Sequence, residues 1–415
     1  MEGAMPTVIP MSVDERRKYL GLMTIRYARA RKKERGRLLD EMEYFTELDR
    51  KTLIRLINGD LTRQPRQKQR GRTYDAAFGD VLRIVAESFD YLCAERLTPN
   101  LPWMAACLAH HGELTVFPSV MDKLEHVSVS TVRRMLQRML PKQHLPRPTP
   151  GPANPLTRDI PMTRIAWDED APGHFEVDLV HHCGASTDGQ YGHTLQLIDV
   201  ATGWSERSGM LGRSNVAMQK ALTRTQERLP FPIVELHPDN GSEFFNTPIL
   251  RYFSTELQST LLSRSRPFHK NDNRFVEQKN SSLVRAYVGT QRFDTTMQVL
   301  VLNDLYEKMW VYYNLFQPVL RLAEKTTVLV DGGAFKTRRR YDVARTPFDR
   351  LCATGILTTE RSDQLNRLRD RTNPRRLKQE VYQTLDHLLS LPSADAMRDE
   401  QDASITPHKE DDGAQ

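Results

Sequence analysis

Four cysteines in 415 residues, none of them in a Cys-x-x-Cys pair, leave this chain without a disulfide framework or a cysteine-built zinc site. That scarcity points to a reduced, intracellular setting. No long apolar run is present, so no membrane-spanning helix is expected. The first residues lack the pattern of a secretory leader, so export is not expected either. No serine, cysteine or histidine arrangement suggests a covalent nucleophile. Charge is abundant: 27% of residues are Asp, Glu, Lys or Arg, and the net charge is +6. The stretch after Pro392 holds seven acids against two bases, which leaves the rest of the chain at about +11. A basic body of this kind suits a polyanionic partner.

Three short stretches carry chemistry. In Gly173-His-Phe-Glu-Val-Asp178-Leu-Val180, Phe175, Val177 and Leu179 alternate with Glu176, Asp178 and Val180, the period of a strand. Asp178 then faces the side opposite Phe175 and Val177. A glycine-bounded turn (184–189) and Thr194-Leu-Gln-Leu-Ile-Asp-Val200 make a hairpin with it, and a third strand follows the Gly203-Trp204 corner. The spacing predicts a helix over 215–229, stopping before Pro230. A short strand, Ile233-Val-Glu-Leu236, runs into His237-Pro-Asp239-Asn-Gly-Ser-Glu-Phe244, placing Asp239 at a strand end, where ligands gather in open α/β sheets. Asn271 or Asp272 predicts the cap of a helix through about Tyr287, with Glu277 about 100° from Val276 and so at the edge of the apolar stripe. Three carboxylates drawn together from distant parts of a chain repel unless a cation lies between them. Oxygen-only ligands favour magnesium or manganese.

At these residues the chain resembles the integrase catalytic core shared by retroviral integrases and bacterial Asp-Asp-Glu transposases. The match runs over roughly 167–292, through Phe-Glu-Val-Asp178, Asp239-Asn-Gly-Ser-Glu-Phe and Val-Glu277-Gln-Lys-Asn. The interval from Asp239 to Glu277 is a few residues longer than is common in that family, and a longer loop near 263–271 would absorb it. The resemblance implies a ribonuclease H-like α/β core, two divalent metals (Mg2+ or Mn2+) held by Asp178, Asp239 and Glu277, and cutting and joining of DNA strands. Asp178 would bridge both ions while Asp239 and Glu277 each hold one.

The flanking chain reads as a multidomain DNA-binding protein. Residues 12–63 form a helix-turn-helix pattern in which Leu38, Leu39, Met42, Leu53, Leu56 and Ile57 fill the core, Asp49 caps the second helix, and Arg50, Lys51 and Arg55 lie where a recognition helix would meet a groove. A basic linker (64–73) leads to a second helical unit (74–141) ending in Ser128-Val-Ser-Thr-Val-Arg133-Arg134, with Ser128 or Ser130 as cap. Seven prolines between Pro141 and Pro161 mark a linker (142–166). The core occupies 167–325, with a helix over 300–315. A basic, β-rich region and a helical tail occupy 326–391, and an acidic tail expected to be disordered occupies 392–415. Lys270, Arg274, Lys279, Arg338, Arg339 and Arg340 are further candidates for DNA contact.

Other signals weigh less. His181-His182-Cys183 lacks a matching ligand pair, and a strand turns neighbours to opposite faces. His110-His111 near a helix end read the same way. Asp199 rivals Asp178, but its Asp-Val-Ala-Thr-Gly-Trp segment looks like a structural turn. Glu176, Asp188, Glu243 and Asp272 read as exposed or capping acids, and His237 as packed or as an aid to a substrate phosphate. The expectation is a bacterial-type, cytoplasmic and nucleoid-associated transposase, dimeric or tetrameric on DNA, acting on terminal repeats and target DNA. The alternatives are a metal-dependent nuclease that cuts without joining and a non-enzymatic DNA-binding regulator with an inactive core.

Overall fold

Ser12 starts the first helix. Its hydroxyl accepts the Glu15 N–H at 3.3 Å while the Glu15 carboxylate accepts the Ser12 N–H at 2.7 Å, a reciprocal cap. The computed structural model describes residues 11–59, 61, 73–139, 169–238, 244, 249, 251–252, 255, 260–264, 274–330 and 334–394. The chain divides into two compact units, residues 1–73 and 74–415. In the first, α1 (Val13–Arg29), α2 (Lys32–Thr46) and α3 (Arg50–Ile57) close over Leu20, Met23, Leu38, Leu39, Met42, Leu53 and Ile57, with Leu56 only partly buried. Asp49 caps α3 as expected, accepting the Thr52 N–H at 3.0 Å.

The second unit opens with five helices: α4 (Ala76–Ser88), α5 (Ala94–Leu97), α6 (Leu101–His110), α7 (Pro118–His126) and α8 (Val129–Met139). Ser128 caps α8 through the Thr131 N–H at 3.3 Å. The sheet follows: β1 (His174–His182), β2 (Gly192–Asp199), β3 (Ser205–Leu211), the crossing helix α9 (Asn215–Arg228), β4 (Glu235–Pro238) and β5 (Leu261–Leu262). Strand order is β3-β2-β1-β4-β5, antiparallel across β3, β2 and β1 and parallel across β1, β4 and β5, so the sheet is mixed and the fold is α/β. The corner between β2 and β3 needs Gly203 at φ +78°, a left-handed backbone that other residues rarely adopt.

Beyond β5 come α10 (Arg274–Lys279), a π-helical segment (Asn280–Arg285), α11 (Ala286–Val288) and the long α12 (Thr296–Phe316). The last described part is a two-stranded ribbon, β6 (Leu322–Val330) and β7 (Ala334–Tyr341), then α13 (Pro347–Thr354), α14 (Thr359–Arg371) and α15 (Pro374–Ser390). A β-rich segment followed by a helical tail was the expectation from sequence.

The sheet is covered on both faces. Phe175, Val177 and Leu179 lie in one core with Met218 and Leu222 of α9, a core that also holds Phe78, Leu82 and Phe89 of the first helices. Val180 packs in a second core with Val284, Val288, Leu302, Tyr306, Val381 and Leu385. Asp178 therefore shares the face covered by the helices after β5. The helices before the expected proline linker belong to the same compact unit as the sheet. The Tyr312 hydroxyl donates to the Ser88 carbonyl at 2.8 Å, and Asp90 accepts from Tyr287 at 2.8 Å and Tyr382 at 2.9 Å. The linker itself lies outside the described residues.

β3 is an edge strand whose outer backbone groups need partners. Asn303 and Asn314 of α12 supply them. Asn303 accepts the Gly209 N–H and donates to its carbonyl, both at 2.9 Å; Asn314 does the same for Ser205, at 2.9 and 3.0 Å.

Candidate active site

Two of the three acids singled out from sequence fall in described parts. Asp178, half-buried in the middle of β1, accepts the Leu179 N–H on Oδ1 at 2.8 Å, and its Oδ2 accepts the Asn280 side-chain amide. Glu277 is exposed on α10, next to the fully buried Val276, so the helix face divides as its spacing predicts. Asp239 lies outside the described residues. β4, which precedes it, pairs in parallel with β1 so that His237 is opposite Glu176 and Pro238 opposite Val177. Asp178 thus lies on the central strand of the sheet beside β4, and Asn280, just past α10, reaches its carboxylate.

Glu176 departs from the reading of an exposed acid. It is fully buried, and its Oε2 accepts the backbone N–H groups of Phe275 at 2.6 Å and Val276 at 2.9 Å. It does cap a helix, but one a hundred positions away in sequence. Period two places it on the same face as Asp178. Signal for this role was absent from the sequence because its donors are backbone groups, which carry no residue signature. Asp188 is exposed as expected; Glu243 and Asp272 lie outside the described residues.

Asp199 takes the structural role assigned to it. Fully buried, it accepts Gly173 N–H at 2.8 Å, Thr202 N–H at 2.7 Å and the Thr202 hydroxyl at 2.6 Å. Burial pushes its carboxyl pKa up, and those hydrogen bonds oppose the rise. Arg321 donates to the carbonyls of Asp199 and Ala201 at 3.1 and 3.2 Å and lies 4.6 Å from the Phe275 ring centroid. Its burial lowers the guanidinium pKa to about 10.

His182, His193 and His237 are internal. His182 shares a hydrogen bond with Thr194 Oγ1 at 2.7 Å, and burial lowers its pKa to about 3; His193 is lowered to about 4 for the same reason. His237 is buried, 2.6 Å from Ser263 Oγ, and so is packed. No cluster of three His, Cys, Asp or Glu side chains suited to a metal ion occurs among the described residues.

The basic candidates separate by environment. Lys51 and Arg55 are exposed on α3, whereas Arg50 pairs with Asp40 at 2.6 Å and donates to the Gly36 carbonyl at 3.1 Å. Arg133 pairs with Glu95, and Arg134 is exposed, bonded within its own helix to Ser130 and Thr131. Arg338, Arg339 and Arg340 are exposed along β7, with Arg340 2.9 Å from Glu324 across the ribbon. Lys279 turns inward instead, 5.1 Å from the Tyr313 ring centroid, and burial lowers its pKa. Lys270 and the side chain of Arg274 lie outside what is described. Among the described residues no helix is long and apolar enough to cross a membrane.

Comparison with known proteins adds kinship. No family model matches the sequence. A chain of the cryoEM structure of a simian T-cell lymphotropic virus intasome in complex with PP2A regulatory subunit B56 gamma is similar at 12% identity and a TM-score of 0.26, covering 44% of this chain. This chain spans 59% of that one. Uncharacterized protein y4rM of Sinorhizobium fredii (strain NBRC 101917 / NGR234) is 32% identical over 305 residues, 73% of this chain and 87% of the relative. The chain belongs to the family of that rhizobial protein.

Proposed function

We propose that this protein is a transposase of the Asp-Asp-Glu class, with a ribonuclease H-like core, that binds the ends of a mobile DNA element, cuts there and joins the 3′-ends to a target. The observation that carries the reading is one of position. A sheet of order β3-β2-β1-β4-β5 holds Asp178 on its central strand, β4 ends one residue before Asp239, and Glu277 rides on a helix hydrogen-bonded to β1.

The donor set fits a hard divalent cation: Asp178, Asp239 and Glu277 offer only carboxylate oxygens. When bound, a pair of magnesium or manganese ions supplies an activated water or 3′-hydroxyl and charge stabilisation at the leaving oxygen. The chain's own part is to hold the acids at fixed spacing and to keep the phosphodiester in line. Exposed Lys51, Arg55 and Arg134, on helices with helix-turn-helix spacing, suit element-end recognition, while Arg338, Arg339 and Arg340 suit phosphate contacts. Joining two ends requires both to be held at once, so the working form is a dimer or tetramer on DNA in the bacterial cytoplasm.

The test is a strand-transfer assay with pre-nicked element ends and Mg2+ or Mn2+. Joined product that disappears in Asp178→Asn and Glu277→Gln supports the proposal. Cleavage without joining assigns a nuclease, and neither activity returns the chain to a DNA-binding regulator.

A further inference from the structure

We infer that Glu176, assisted by Asn280, is a positioning residue that locks the helix carrying Glu277 to the strand carrying Asp178. This rests on the metal-site reading above. Glu176 and Asp178 are two residues apart on β1 and so project to one face. Each takes hold of the same helical segment: Glu176 through the Phe275 and Val276 N–H groups at 2.6 and 2.9 Å, Asp178 through the Asn280 amide. The two grips bracket Glu277. Fixing a helix at both sides of one residue sets its height and rotation together, which a single contact would not.

The first grip is strong for three reasons. One carboxylate oxygen takes two donors, both are backbone N–H groups at a helix start, and Glu176 is wholly shielded from water there. A third element holds the same end, because the Arg321 guanidinium lies over Phe275 at 4.6 Å while donating to the turn that follows β2. Glu277 is itself exposed, and both grips act on the helical segment that carries it. The site is in this sense preorganised before any cation arrives.

The experiment uses the full chain with Glu176→Gln, Glu176→Ala and Asn280→Ala, and Thr194→Val as a control. Thr194 lies in the same sheet, with its hydroxyl bonded to His182 at 2.7 Å and Tyr306 at 2.6 Å rather than to α10. Mn2+ affinity is read by titration, and backbone exchange across 274–288 by hydrogen–deuterium mass spectrometry. The expected result is at least a tenfold loss of Mn2+ affinity and faster exchange at 274–279 in Glu176→Ala. Glu176→Gln, which keeps an acceptor oxygen, should fall between it and the wild type. Thr194→Val should lower thermal stability while leaving Mn2+ affinity within twofold. Wild-type Mn2+ affinity in both Glu176 variants, or an equal loss in Thr194→Val, overturns the inference. A wild-type chain that binds no Mn2+ instead overturns the metal-site reading on which it rests.

Discussion

Asp178 and Asp199 are both strand acids in the same hairpin, and their surroundings send them to different tasks. Asp199 is consumed by two donors of its own turn, by the distant Gly173 N–H and by nearby Arg321. Asp178 is half-buried and bonded to the Leu179 N–H and to the Asn280 amide beside α10. Replacing Asp199 by Ala should therefore cost stability, about 3 kcal/mol for breaking a buried, hydrogen-bonded charge, measured as a lower denaturation midpoint. Asp178→Asn, nearly isosteric, should leave that midpoint within about 1 kcal/mol and instead cut DNA cleavage by at least about 100-fold, the scale on which a lost metal contact is felt. At this scale the sequence was informative about Asp178 and Asp199 because strand period and turn chemistry are local. It left Glu176 between an exposed and a capping acid and could not name the helix it caps, because an acid in a half-buried strand carries no mark of distant backbone donors. It also counted Arg50 and Lys279 as free cations, since pairing with Asp40 and packing on Tyr313 arise only when separate helices meet.

Among elements, β1 is the hub, paired with β2 on one side and β4 on the other and gripping α10 from its face. β3 closes the sheet with help from a helix rather than a strand, because Asn303 and Asn314 each bridge both backbone groups of one β3 residue. Asn314→Leu leaves the Ser205 N–H and carbonyl buried without partners and should destabilise the chain by about 2 kcal/mol, again read from a denaturant midpoint. The sequence signalled a helix over 300–315 but not the task of Asn314 within it; an amide aimed at an edge strand is recognised only once the strand order is known. The β6–β7 ribbon presents Arg338, Arg339 and Arg340 to solvent, and replacing all three by Ala should flatten the salt dependence of DNA affinity by up to about 2.7 in log–log slope. An unchanged slope would remove the ribbon from the DNA interface.

For the whole molecule, the unit of residues 74–415 joins the helices before the sheet, the sheet and the C-terminal helices around shared cores. Such interleaving was hidden in the sequence, where a run of prolines between 141 and 161 suggests independent domains on either side. A chain beginning at Tyr74 should melt in one cooperative transition, whereas two separated transitions would show that the helices before the sheet fold apart from it. Acid should weaken this unit. His182 and His193 have folded pKa values lowered to about 3 and about 4, against about 6.5 in an unfolded chain. The unfolded state then binds more protons as pH falls from about 6.5 towards 4, and stability is lost across that window. Melting temperature followed from pH 7 to pH 4.5 should fall less steeply in His182→Gln than in the wild type.

The central claim is that acids remote in sequence share a pair of hard cations at the β1/β4 boundary. Anomalous diffraction from crystals soaked in Mn2+ measures this directly. The account predicts two peaks about 4 Å apart, bounded by the carboxylates of Asp178, Asp239 and Glu277 and lost in Asp178→Asn. Those three side chains diverging, with no manganese among them, would contradict it.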